Sequence, residues 1–269
     1  MMLKCTQYLK CDPARQVPYS RDKGLEFILC NDCGLIWRSP GSWELTKKYE
    51  EDYFSSKNYL KNRNHKVTKS GWFLDMALTY LPGASSLLEV GCSVGNTLEA
   101  ARQRNIQHLG LDISNYAVDF CQSQGLNAET RSLADLVAEV RKFDMIFMQH
   151  VLEHFEDPFE TLALCRQLLN PGGLVILIVP NSEYRRADKK RGRHRFYSMG
   201  GVGSEHFVYF NYPSIEKVLN FSGFQVLQKN YPLFVAGNAS PEFFLNRLFR
   251  SSLTCFNADQ EIVVIARMH

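Results

Sequence analysis

Residues 86–112 read SLLEVGCSVGNTLEAARQRNIQHLGLD. The apolar run Leu87–Leu88 into Val90 stops at Gly91, a helical pattern begins at Asn96, and a second apolar run ends at Asp112. The spacing predicts strand, tight glycine turn, helix, second strand and a terminal acid. Glycines in such a turn let a ligand lie against the backbone, and the helix start leaves amides unpaired. An acid at the tip of the second strand can accept from ribose hydroxyls. A dinucleotide fingerprint would carry a closely spaced glycine triplet; here only Gly91 and Gly95 appear, with Glu89 just before them. A carboxylate there repels a diphosphate and suits a ligand bearing positive charge.

The rest of the chain frames this unit. At 269 residues it can bury one substantial core with a small appendage. The apolar fraction of 45% and charged fraction of 22% are those of an ordinary globular protein, and a net charge of +3 does not by itself imply nucleic acid. There is no long apolar core at MMLKCTQYLKCD and no run of 18 apolar residues, so neither an export signal nor a membrane span is expected and the cytoplasm is the expected location. Eight cysteines with four in the first 33 residues then suggest metal rather than disulfides.

Further along, Phe143–Met148 reads as an inner parallel strand that empties into QHVLEHFEDP, residues 149–158. Because ligands bind beyond the carboxyl ends of parallel strands, Gln149 and His150 should stand at the rim of the site. A helix from Pro158 leads to Asn170-Pro171-Gly172-Gly173 and a strand from Leu174 to Val179. A helix from Pro213 to about Ser222, a strand near Gln225 to Gln228 and a last strand Glu261–Ala266 close the chain.

The acid-then-glycines turn, the QHVLEH segment, the PGG turn and the late SEHFVYF segment together resemble the class I S-adenosylmethionine (SAM) dependent methyltransferases, over roughly Leu81 to Phe224. The resemblance implies an α/β fold: a Rossmann-like sheet, mostly parallel, with a reversed antiparallel edge at the C-terminus. It implies SAM as cofactor, with Glu89, Gly91, Cys92, Ser93 and Gly95 around the methionine half, Asp112 on the ribose hydroxyls, and Ile113 and Gln149 beside them. Relatives place an acid after the third strand to hold the adenine; here TRSLADL stands there, so Ser132 and the backbone of Leu133 take that contact, with Asp135 as the alternative acceptor. Methyl transfer to a hydroxyl needs proximity and, for some acceptors, a base. Three histidines fall on segments that reach the rim, His150, His206 and His154, and are the candidate catalytic residues; the alternative is that all three only orient or pack.

Residues 1–40 form a Cys-rich, zinc-ribbon-like segment. The Cys30-Asn-Asp-Cys33-Gly34 turn is half of a ribbon, while five residues separate Cys5 from Cys11, more than a regular knuckle has. Cys5, Cys11, Cys30 and Cys33 are the candidate ligands of a structural zinc, against reduced thiols in a small hairpin. Residues 41–80 read as a helical cap, in which Tyr49 and Tyr53 share a face and could line a pocket or simply pack the cap onto the sheet. Residues 81–269 are then the SAM-binding domain, interrupted by the basic insertion 184–195, which carries seven Arg or Lys and His194. This insertion is either a solvated loop or a lid in which Arg193, His194 and Arg195 recognise an anionic group.

The expected activity is methylation of a small anionic molecule, oxygen preferred, since QH occupies the strand end where nucleobase amino-methylating enzymes have an NPPY-like motif. A carbon or nitrogen acceptor, or a catalytically silent SAM-fold module for a protein or RNA partner, are the alternatives. An NAD-dependent oxidoreductase is the competing enzyme class.

Overall fold

The structure is a computed structural model and describes residues 3–22, 25–39, 60, 62–183, 206–229 and 261–269. The aromatic segment with Tyr49 and Tyr53, the basic insertion with Arg193, His194 and Arg195, and the apolar stretch 241–249 lie outside the described residues.

Two sheets share the described chain. The small one begins with β1 (Gln16–Asp22), β2 (Leu25–Cys30) and β3 (Ile36–Arg38), all antiparallel. The large one contains β4 (Ser86–Val90), β5 (Gln107–Leu111), β6 (Ala128–Glu129), β7 (Phe143–Gln149) and β8 (Leu169–Pro180). After β9 (Val208–Tyr209), which belongs to the small sheet, β10 (Phe224–Lys229) and β11 (Glu261–Met268) complete it in the order β10-β11-β8-β7-β4-β5-β6. The five strands from β8 to β6 are parallel, and β11 runs antiparallel between β8 and β10. The expected Rossmann-like sheet with its reversed C-terminal edge is therefore present. From β4 the chain winds outward through β5 and β6, then crosses back to β7 on the other side of β4. The crevice between the carboxyl ends of β4 and β7 is where such a sheet accepts a ligand.

Period-two alternation sorts the core into two layers. Leu87, Met145, Phe147, Ile176, Ile178, Val263 and Ile265 face one side, beneath α2 (Arg63–Tyr80), which contributes Val67, Phe73, Leu74 and Ala77. Leu88, Val90, Ile146, Met148, Val175, Leu177 and Val264 face the other, against α6 (Pro158–Leu168) and α7 (Tyr212–Phe221). Between these come α3 (Asn96–Arg102), α4 (Asn115–Ser123) and α5 (Leu133–Ala138). Ser114 caps α4, accepting from the Ala117 amide, as its place before the helix suggests. Asp157 caps α6 and Pro158 takes its first position, where no amide is needed.

One boundary differs from the sequence reading. Strand β8 begins at Leu169, before the PGG turn, because Leu169 pairs with Phe143 while Leu174 pairs with Met145. The residues between bulge out, and Gly173 fits because a Cβ there would meet the Asp144 carbonyl at 3.0 Å.

The small sheet is closed by β9, with Ile36 opposite Tyr209 and Trp37 opposite Val208. The N-terminal segment thus takes its fourth strand from late in the chain. Its short helix α1 (Lys4–Tyr8) is tied to α6: Lys4 Nζ lies 2.9 Å from Asp157, the Tyr8 hydroxyl donates to Asp157 at 3.0 Å, and Tyr8 stacks on Phe159 at 4.5 Å.

Candidate functional site

The turn after β4 is a cradle made by backbone conformation. Gly91 has φ +71° and Gly95 φ +72°, both in the left-handed region. A Cβ at Gly91 would lie 2.4 Å from Val151 Cγ2, and one at Gly95 would lie 2.7 Å from Leu126 Cδ1. Both positions are therefore closed to side chains by conformation and by space. The Gly91 and Cys92 amides donate to the Leu111 carbonyl at 2.7 and 2.9 Å, stitching the turn to β5. Ser93, also left-handed at φ +50°, donates its amide to Asp112 Oδ2 at 2.8 Å, while Ser114 N donates to Oδ1 at 2.9 Å. Burial raises the Asp112 pKa against these amide bonds.

Glu89 lies under the turn, 5% exposed. Burial holds its carboxyl well above the usual range, opposed by the Thr97 hydroxyl and the Leu98 amide. Among the described residues its Oε2 has no hydrogen-bond partner, nor do the buried Ser93 Oγ and Asn96 Oδ1. Unsatisfied buried polar atoms around a cradle that no Cβ can fill are the features of a binding site for a polar ligand. The residues present fit a sulfonium nucleoside carrying an amino acid, which would supply an activated methyl group: Glu89 for positive charge, the turn for the amino-acid half, Asp112 for the ribose. Cys92 points away from the cradle, packing with Leu98, Val118, Cys121 and Leu126, so only its backbone belongs to the turn. Hydrogen bonding to Cys121 and burial raise its thiol pKa.

Ile113 stands beside Asp112 with 73% of its surface exposed, an apolar side chain free to cover an aromatic base. Ser132 and Asp135 form a capping box at the start of α5: Asp135 N donates to Ser132 Oγ at 3.2 Å and Ser132 N to Asp135 Oδ2 at 2.9 Å. Leu133 is buried next to them.

On the other side of the crevice, Gln149 ends β7 and His150 takes φ +55°, its amide still donating to the Ile178 carbonyl at 2.8 Å. The His150 ring lies between two carboxylates, Nε2 at 2.9 Å from Glu261 Oε1 and Nδ1 at 3.6 Å from Glu153 Oε1. Burial lowers its pKa, but contacts with Glu153 and Glu261 outweigh this and push it up to about 9. Burial likewise raises Glu261, and His150 with Lys69, 3.2 Å away, brings it down to about 2. His150 is thus held as an imidazolium. His206, immediately before β9, is brought against the same point: its Nε2 is 3.9 Å from Glu153 Oε1, and its ring meets His154 edge-on at 4.5 Å. All three rim histidines converge on one buried carboxylate.

Two functional candidates had no clear signal in the sequence. Glu153 was legible only as part of the LEH segment. Arg63 opens α2 and places its guanidinium 5.9 Å over the Phe120 ring, with Nε and Nη2 buried and lacking hydrogen-bond partners; its charge also lowers the Cys121 thiol after the Cys92 hydrogen bond.

The four N-terminal cysteines do come together. Cys5 on α1, Cys11, Cys30 at the end of β2 and Cys33 in the following turn bring their Sγ atoms within 4.8 Å of one another, all buried. Burial, then the neighbouring Cys33 and Cys30, push the Cys11 thiol up to about 12, and a hydrogen bond from Cys5 with burial raises Cys33. Four thiols so placed repel one another as thiolates unless a divalent cation sits among them. The donor set fits tetrahedral zinc, and with no position left open such an ion would be structural.

Strand order, glycine turn, ribose acid and reversed edge define the fold of the class I SAM-dependent methyltransferases. The chain matches the methyltransferase domain family over residues 59–229, and it belongs to that family. It is 30% identical over 141 residues to a ubiquinone biosynthesis O-methyltransferase of Methylococcus capsulatus, covering 45% of this chain and 59% of the relative. A Leptothrix cholodnii protein of the same name is 34% identical over 103 residues, covering 35% of this chain and 44% of that protein. The chain thus spans less than two thirds of the length of these relatives. Among solved structures, a SAM-dependent methyltransferase from Archaeoglobus fulgidus superposes with a TM-score of 0.56 at 18% identity, covering 81% of this chain and 99% of that one. Magnesium protoporphyrin IX methyltransferase from Synechocystis, solved with SAH bound, gives 0.51 at 17% identity, with 86% and 90% coverage. At such identities the likeness is one of fold. Among the described residues, no helix is long and apolar enough to cross a membrane.

Proposed function

We propose that the protein transfers a methyl group from SAM to a hydroxyl oxygen of a small anionic molecule. What supports this reading is the left-handed turn of Gly91, Ser93 and Gly95 tied to Asp112, at the end of β4 and next to β7, the strand that ends in Gln149 and leads into His150. The cofactor brings an activated methyl group and loses its positive charge on transfer, so the protein's main task is to hold donor and acceptor in line in a dry site. Glu89, Gly91, Ser93, Gly95 and the backbone of Cys92 hold the amino-acid half, Asp112 the ribose, Ile113, Ser132 and Leu133 the adenine side, and Gln149 closes the floor. Arg63 adds a cation for the cofactor carboxylate, since two of its buried nitrogens have no hydrogen bond.

His150, held between Glu153 and Glu261 at the end of β7, marks the acceptor side of the crevice. Tyr49, Tyr53 and the segment with Arg193, His194 and Arg195 are assigned to the acceptor side on sequence grounds. Oxygen is preferred because the curated relatives are named O-methyltransferases. The four thiols of the N-terminal segment are assigned to structural zinc.

Calorimetry with SAM, SAH and NAD, followed by turnover of phenolic and carboxylate-bearing hydroxyl compounds, tests the reading. Binding of SAM and SAH but not NAD, with methyl appearing on oxygen, is the expected result. A protein that ignores both sulfur nucleosides overturns it.

A further inference from the structure

Glu153 is a carboxylate in the wrong place for a merely structural residue. It is 1% exposed, and among the described residues neither of its buried carboxylate oxygens has a hydrogen-bond partner, the nearest nitrogens being His150 Nδ1 at 3.6 Å and His206 Nε2 at 3.9 Å. A buried carboxyl group that accepts no hydrogen bond is costly, and proteins keep one where cationic partners compensate it. The backbone of Glu153 is fixed by the Phe207 amide, which donates to its carbonyl at 2.8 Å, so the side chain is anchored from behind. That same bond draws in the segment bearing His206, while His154 follows Glu153 in a tight 3-10 turn, Leu152–His154.

We infer that Glu153, His154 and His206 form a binding site for one divalent transition-metal ion, separate from the four-cysteine cluster. One ligand atom from each lies within 4.8 Å of the other two, and Glu153 and His206 are buried while His154 is partly so. The two imidazole rings stand nearly perpendicular, at 87°, so that their nitrogens approach a common point from different directions. Two imidazole nitrogens and one carboxylate oxygen suit zinc, cobalt, nickel or iron(II) rather than magnesium or calcium, which prefer oxygen alone. Three protein ligands leave a tetrahedral ion one open position, the arrangement of a reactive rather than a structural site. The charged and titratable groups facing the site are His150, 3.6 Å from Glu153, then Glu261 and Lys69 behind it.

The ion would polarise a hydroxyl or enol bound at its open position, lowering the pKa of that oxygen as it does for bound water. His154 and His206 then act as ligands and not as bases. This inference concerns metal binding and stands whichever acceptor is methylated, so its test is independent of turnover.

The full-length protein, stripped with a chelator at neutral pH, is titrated with Co2+ and followed by absorption. Cobalt on four thiolates shows intense sulfur-to-metal charge transfer, whereas cobalt on nitrogen and oxygen shows only weak visible bands. The wild type is expected to develop the weak-band species in addition to any thiolate species, and Glu153→Gln to lose it alone, with affinity reduced at least about a hundredfold. His206→Gln should behave in the same way, and thermal melting checks that both variants are folded. If every cobalt ion bound by the wild type carries thiolate charge transfer, or if folded E153Q and H206Q retain the weak-band species at wild-type affinity, the site does not exist.

Discussion

The sharpest prediction concerns Gly91. Replacing it by alanine places a Cβ 2.4 Å from Val151 Cγ2, and Val151 cannot swing away because a β-branched side chain has few rotamers. The substitution also holds an L-residue at φ +71°. The left-handed conformation costs about 1–2 kcal/mol, the overpacking about 1–3 kcal/mol, and the stiffer unfolded chain returns about 0.4–1 kcal/mol. Gly91→Ala should therefore destabilise the protein by about 1–4.6 kcal/mol in urea unfolding and weaken SAM binding about tenfold or more. Val151→Ala removes the clashing methyl and leaves the remaining Cβ of residue 151 at 3.5 Å, an ordinary contact. The double-mutant cycle should show a favourable coupling of about 1–3 kcal/mol. Coupling within about 0.5 kcal/mol of zero, or a Gly91→Ala variant as stable as the parent, would refute the claim that Val151 and the turn share this space.

Other outcomes follow from the same geometry. Asp144 accepts from the amides and hydroxyls of Ser85 and Ser86 and from Asn170 Nδ2, so Asp144→Ala should lose about 2–3 kcal/mol in denaturant unfolding. Glu261 has a folded pKa of about 2 against 4.5 for the free group, so its contribution is complete above that unfolded value and is lost as pH falls toward 2. Melting temperature should drop over this window, and Glu261→Gln should flatten the drop. Arg63→Ala should weaken SAM binding about tenfold by calorimetry with little change in melting, since its guanidinium nitrogens at issue make no hydrogen bond in the protein. Cys33→Ser should release zinc by metal analysis and lower the melting temperature, because the thiol cluster and the small sheet share one core with α6 and α7.

How much of this was readable from residues alone depended on sequence distance. The turn from Gly91 to Gly95, the Ser114 cap and the Asp157-Pro158 helix start are local and were legible because their chemistry sits within a few neighbours. The antiparallel edge was legible from the apolar EIVVIA run, which becomes β11. The two-residue strand β9 was not: it has no pattern of its own, and its partner β3 lies far upstream. For the same reason the meeting of Glu153 with His206 could not be read, although both residues were in view. The four cysteines were grouped correctly as candidate ligands despite their irregular spacing, since Cys5 reaches the cluster from a helix and not from a second knuckle.

The pairing of β3 with β9 builds the N-terminal module into the body of the domain rather than leaving it a detachable ornament. Removing the first forty residues would leave Val208 and Tyr209 without their strand partners Trp37 and Ile36, with Phe207 held only at Glu153. A shortened chain of this kind keeps the glycine turn and its strand-end acid but loses half of the small sheet, so transplanting the domain onto another scaffold would have to carry both ends of the chain together.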